Sequence, residues 1–114
     1  MKRCFRDLIV WQRAIALVVQ VYRKTADYPV AEKYGLQSQM RRSAVSIPSN
    51  IAEGQGRLTR GEFRQFLGIA KGSLAELETE LIVSVKLNLL PRETTLFVKV
   101  EEVSKLLNGL LASI

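Results

Sequence analysis

Apolar side chains recur along this chain with the period of an α-helix, in four stretches set apart by proline, glycine and short polar runs. In the first stretch Asp7 stands where a helix cap belongs. The helix it opens is expected to run to about Ala26, where Asp27-Tyr28-Pro29 stops it, because a residue before proline avoids the α region. On a helical projection Leu8, Trp11, Ala14, Ile15, Val18, Val19, Val21 and Tyr22 share one broad face, widened by Val10 and Leu17. Gln12, Arg13, Gln20, Arg23 and Lys24 hold the other side. An apolar arc of about 200° exceeds the stripe of an ordinary surface helix. It predicts two contacts, one with a core and one with something else.

The second stretch begins near Leu36. Met40, Ala44, Ile47 and Ile51 line one side, with Val45, Pro48 and Ala52 beside them. Their phase runs straight across Pro48, which a broken helix would not preserve. One kinked helix is expected, ending at Gly54 or Gly56 as left-handed caps. The two glycines form no phosphate-binding loop. Gly54-Gln-Gly56 lacks a third glycine and a preceding strand, and Glu62-Phe63 stands where the P-loop spacing from Gly56 requires Lys-Ser/Thr.

Thr59-Arg-Gly-Glu62 is a capping box that opens a third helix. Its core stripe is Phe63, Phe66, Leu67, Ala70, Leu74, Leu77, Leu81 and Val85. A fourth helix follows Pro91, with Leu96, Val100, Val103, Leu107, Leu110 and Ile114 on one face. Short connectors between long amphipathic helices predict antiparallel neighbours, hence an all-α, up-down antiparallel four-helix bundle. Residues 1–114 form one domain in this reading.

Composition narrows the function more than it names one. There is no histidine, which removes the common neutral-pH acid/base and most zinc sites. Cys4 is the only cysteine, so no intramolecular disulfide forms. No catalytic, cofactor or metal site is expected, and no small-molecule substrate. No apolar run approaches the roughly 20 residues that span a bilayer. The charged N-terminus lacks a signal peptide's apolar stretch. A cytoplasmic protein without a membrane partner is the expectation.

The formal net charge is +6, unevenly placed. Residues 1–71 hold 13 Lys/Arg against 5 Asp/Glu, a balance of +8, and residues 72–114 hold 4 against 6, a balance of −2. Such asymmetry points to a face for polyanions or to a basic solvated surface. Arg60, Arg64 and Lys71 share one side of the third helix, away from its core stripe, and Arg57 lies just before it. This stripe is the candidate nucleic-acid surface, although no recognition-helix or RNP motif accompanies it.

Two further patterns exceed what a plain bundle needs. Gly61, Gly68, Gly72, Ala75 and Thr79 share one flank of the third helix, where each glycine costs about 1 kcal/mol relative to alanine. That flank serves tight packing inside the monomer or a subunit contact. Gly68, Gly72, Ala75 and Trp11 are the candidate oligomer interface. On the second helix Arg42, Ser46, Ser49, Asn50 and Glu53 form a polar stripe, while Arg41 falls on the apolar flank. An arginine there needs a carboxylate, for which Glu76, Glu78 or Glu80 is available. Arg41, Arg42, Asn50, Glu53, Glu76 and Glu78 are therefore the candidate structural polar cluster.

Several segments taken together resemble a known family. These are Trp11-Gln-Arg-Ala14, Glu32-Lys-Tyr-Gly-Leu36, Gln39-Met-Arg-Arg42, Ser46-Ile-Pro-Ser-Asn-Ile-Ala-Glu-Gly54, Glu62-Phe-Arg-Gln-Phe-Leu67 and Ala70-Lys-Gly-Ser-Leu-Ala-Glu-Leu-Glu-Thr79. In this order they resemble the small bacterial four-helix proteins encoded in 23S rRNA intervening sequences, over about residues 5–114. The aromatic often found after the third helix in that family is absent at Lys86-Leu-Asn-Leu-Leu90. The resemblance implies a ring-shaped homopentamer. It also implies kinship with the accessory protein of diversity-generating retroelements, a basic pentamer that binds nucleic acid and its reverse transcriptase. The expected function is a non-enzymatic, oligomeric accessory protein that binds RNA or DNA without sequence preference. The alternative is an oligomeric scaffold for another protein, and a metal-dependent nuclease using Glu53, Glu76 and Glu80 ranks third.

Overall fold

The computed structural model describes residues 4–114. Four helices carry the fold: α1 (Ile9–Thr25), α2 (Leu36–Gln55), α3 (Arg60–Lys86) and α4 (Leu96–Ser113). Among the described residues no strand occurs. α1 packs on α2 and α4, and α3 packs on the same two helices, so α1 and α3 lie on one diagonal of the bundle. With short links between consecutive helices, this is the up-down arrangement that the hydrophobic pattern predicts. The molecule measures 47 × 24 × 19 Å, its long axis set by the length of α3.

Each helix contributes one stripe to a single core. α1 gives Val10, Ala14, Leu17 and Val21; α2 gives Met40, Ala44, Ile47 and Ile51. α3 gives Leu67, Ala70, Leu74, Leu77 and Leu81; α4 gives Leu96, Val100, Val103 and Leu107. The expected stripes of α2 and α4 are the observed ones. On α1 the core takes only the Val10 edge of the wide apolar face. Ile15, Val19 and Tyr22 remain exposed, so the surplus apolar surface of that helix is available for a second contact.

Helix ends correct two expectations. Asp7 does not cap α1: Phe5–Asp7 form a 3₁₀ turn, and extended Leu8 takes the cap position without a side-chain hydrogen bond. Neither Gly54 nor Gly56 is left-handed. Gly54 lies inside α2 and Gly56 has a right-handed φ of −80°. The helix runs unbroken through the buried Pro48. The left-handed residue is Asn88, at φ 60°. Leu89 N–H donates to the Ser84 carbonyl at 2.8 Å and Asn88 N–H to that of Val85 at 3.0 Å, the paired bonds of a Schellman ending. Half of the expected Thr59 box forms: Glu62 N–H donates to Thr59 Oγ1 at 3.1 Å, while the Glu62 carboxylate accepts from the Thr59 hydroxyl at 2.9 Å and not from its backbone N–H.

Candidate functional site

The basic stripe at the start of α3 is only partly available to a ligand. Arg57 pairs with Glu53 at 2.7 Å and lies 4.7 Å from the centre of the Phe66 ring. Arg64 reaches across to α4, where its Nη1 donates to the Leu111 carbonyl at 2.9 Å. That oxygen belongs to the last turn of α4, which has no intrahelical donor and carries the negative end of the helix dipole. Arg64 thus ties two helices together and does not simply project into solvent. Arg60 and Lys71 are exposed and, among the described residues, have no hydrogen bond, ion pair or ring contact.

The candidate polar cluster divides into separate groups. Arg41 turns away from the glutamates of α3 towards α1. Its Nε donates to Thr25 Oγ1 at 3.1 Å, its Nη2 to the Tyr22 carbonyl at 3.1 Å, and its guanidinium stacks 4.5 Å from the centre of the Tyr22 ring. Sequence placed Arg41 on the correct flank of α2 but not against the correct neighbour, because α1 and α3 both adjoin α2. Asn50 Nδ2 donates to the Ser46 carbonyl, and Ser46 Oγ meets Ser73 Oγ at 2.8 Å across the α2–α3 seam. Higher in that seam Ser43 Oγ donates to Glu80 Oε2 at 3.3 Å, while Glu80 Oε1 is buried without a partner. Burial raises the Glu80 pKa first and the neighbouring Glu76 carboxylate adds to it, against the lowering effect of Ser43. Arg42 and Glu78 are exposed and join none of these bonds. Glu78 lies about half a turn from Glu76 and Glu80 around α3. Among the described residues no three His, Cys, Asp or Glu side chains converge as a metal site.

The small-residue flank of α3 faces outward. A Cβ added at Gly61, Gly68 or Gly72 would meet nothing within 4 Å, so these glycines are not required by packing inside the chain. Gly54 is the reverse case, its Cβ position lying 2.7 Å from that of Phe66. Trp11 lies on the opposite diagonal helix, edge-on to Phe5 at 5.2 Å between ring centres. With Ile15, Val18, Val45, Pro48 and Ala52 it lines a shallow apolar groove of about 280 Å³ between α1 and α2.

A second groove, of about 510 Å³, continues past Val45 towards the α1–α2 connection. Its walls include Tyr22, Lys33, Tyr34, Arg41 and Arg42. Sequence reasoning missed it. Lys33 and Tyr34 sit in a connector with no periodic pattern, and only the fold brings them beside Arg41. No described helix is long and apolar enough to cross a membrane.

The model of the 23S rRNA-intervening sequence protein family matches residues 6–109. The fold is similar to the crystal structure of a protein of unknown function from the S23 ribosomal protein family of Bacteroides thetaiotaomicron. The TM-score is 0.81 at 23% identity, covering 90% of this chain and 98% of that one. No curated protein matches. The chain belongs to the 23S rRNA-intervening sequence protein family.

Proposed function

We propose that this member of the 23S rRNA-intervening sequence protein family is a non-enzymatic accessory protein that assembles into a ring of identical chains and binds nucleic acid through its basic surface. The observation that carries the binding half is uncompensated charge. Among the described residues only Arg13, Arg57 and Lys105 reach a carboxylate, in a chain whose first 71 residues are strongly cationic. Arg60 and Lys71 are the members of the α3 stripe left to neutralise phosphates, an interaction largely independent of sequence.

Assembly is supported by where the two uncovered patches lie. A ring needs two different, complementary surfaces on each subunit, so that the contact runs head to tail and closes. The Trp11 groove is lined by α1 and α2, the Gly68–Gly72–Ala75 flank lies on α3, and the two patches share no residue. One subunit's apolar groove can therefore meet the next subunit's small-residue flank. A pentamer is the state this reading adopts from the family resemblance, and the ring repeats each weak phosphate contact, giving avidity.

The test is fluorescence anisotropy with labelled RNA and DNA of unrelated sequences, comparing the wild type with Arg60→Gln/Lys71→Gln. Equal losses across all sequences are expected. Absence of binding by the wild type would leave the oligomeric scaffold reading, in which the basic surface serves solubility or an acidic protein partner.

A further inference from the structure

Arg41 is a half-buried cation with no carboxylate beside it. Its charge is met only by a hydroxyl, a carbonyl and the face of Tyr22. These contacts use two of the five guanidinium N–H groups and leave the rest for another acceptor. They also hold the side chain in place at the wall of the 510 Å³ groove, so an anion binding there would immobilise little that is not already ordered. Lys33 and Arg42 add two more cations to the same walls, and no carboxylate lines them. The groove also holds an aromatic surface. Tyr34 is 87% exposed, with Lys33 Nζ 5.6 Å from its ring centre, a solvent-facing contact that a stacking ligand can displace. The volume lies within the range of small-ligand sites.

We propose that this groove binds an unpaired nucleotide of a single-stranded nucleic acid, its base stacked on Tyr34 and its phosphate held by Arg41, Lys33 and Arg42. Cations beside an exposed ring are the combination that recognises single strands, since every base offers a π-face and every linkage a charge. A duplex keeps its bases inside and can use only the cations. The inference rests on the nucleic-acid reading above, but uses a different surface from the α3 stripe and adds a preference for strand type.

The experiment measures anisotropy of a labelled mixed-sequence 12-nucleotide RNA, its DNA counterpart and the corresponding duplexes. The proteins are the wild type, Tyr34→Ala, Tyr34→Phe, Lys33→Gln/Arg42→Gln and Arg60→Gln/Lys71→Gln. These side chains are exposed, which avoids the folding risk of replacing Arg41. Tyr34→Ala is expected to weaken single-strand binding about tenfold with duplex binding unchanged, and Tyr34→Phe to bind as the wild type does. Lys33→Gln/Arg42→Gln should weaken both forms, the single strand more. Competition by AMP at the same concentration as the oligonucleotide would identify the ligand as a free nucleotide and overturn the strand assignment. Competition by inorganic polyphosphate together with unchanged binding by Tyr34→Ala would overturn the stacking. Wild-type affinity in both groove variants, alongside loss in Arg60→Gln/Lys71→Gln, would overturn the groove while keeping the general reading. No binding by any protein would overturn both.

Discussion

Gly54 and Phe66 bring α2 and α3 so close that a Cβ on the glycine would stand 2.7 Å from the Cβ of the phenylalanine. Neither atom is the end of a flexible side chain, so the backbones would have to part. Gly54→Ala is therefore expected to destabilise the protein by about 1–3 kcal/mol, the usual cost of overpacking. Gly68→Ala and Gly72→Ala meet open space within the chain instead and should each stabilise the helix of the dissociated subunit by about 1 kcal/mol. Urea midpoints of the three variants check the contrast.

Arg64 gives a second stability prediction. Its bond to the Leu111 carbonyl joins the first turns of α3 to the end of α4. Arg64→Gln should lower stability by about 1 kcal/mol or less, because the bond is exposed, and lower the melting temperature with it. Arg60→Gln removes a side chain without internal partners and should melt as the wild type does.

Glu80 makes stability depend on pH. Its folded pKa is raised, chiefly by burial, so the folded state binds the proton more tightly than the unfolded chain. Stability attributable to this group is present at acid pH, below the ordinary glutamate value. It is lost as pH climbs from there through the raised folded value. The melting temperature of Glu80→Gln minus that of the wild type should therefore grow more positive as pH rises through this range, whatever its constant offset. A difference that does not change with pH would contradict the assignment.

The phase across Pro48, the Thr59 cap on Glu62 N–H and the single apolar stripe of α4 each have one physical solution, and the fold adopts it. α1 has two apolar faces, so periodicity alone could not choose Val10, Ala14, Leu17 and Val21 over the Trp11 side. The glycine caps failed because Gly54 serves a close helix approach, a need invisible in one dimension. Asn88 carried a usable signal, being a residue type that tolerates the left-handed region. For the candidate site, sequence located the cations but not their partners. Whether Arg57, Arg64 and Arg41 are engaged depends on Glu53, Leu111 and Thr25, the last two brought near only by tertiary packing.

Assembly is open to a variant that leaves the subunit untouched. Gly72 faces outward with no neighbour within 4 Å, so Gly72→Leu should fold with full helicity. If that flank meets the Trp11 groove of the next subunit, light scattering will show a multiple of the subunit mass for the wild type and a smaller mass for the variant. An unchanged mass would place the contact elsewhere.

The central claim, that the uncompensated cations bind phosphates, is tested most directly by the salt dependence of nucleic-acid affinity. Each neutralised phosphate releases condensed counterions, giving a slope of log K against log salt of roughly −0.9 per contact on duplex DNA and −0.7 on single strands. Titrations from low to physiological salt should give a steep linear slope for the wild type. The slope should be shallower in Arg60→Gln/Lys71→Gln, similarly for unrelated sequences. A flat slope, or no binding at low salt, would contradict the account.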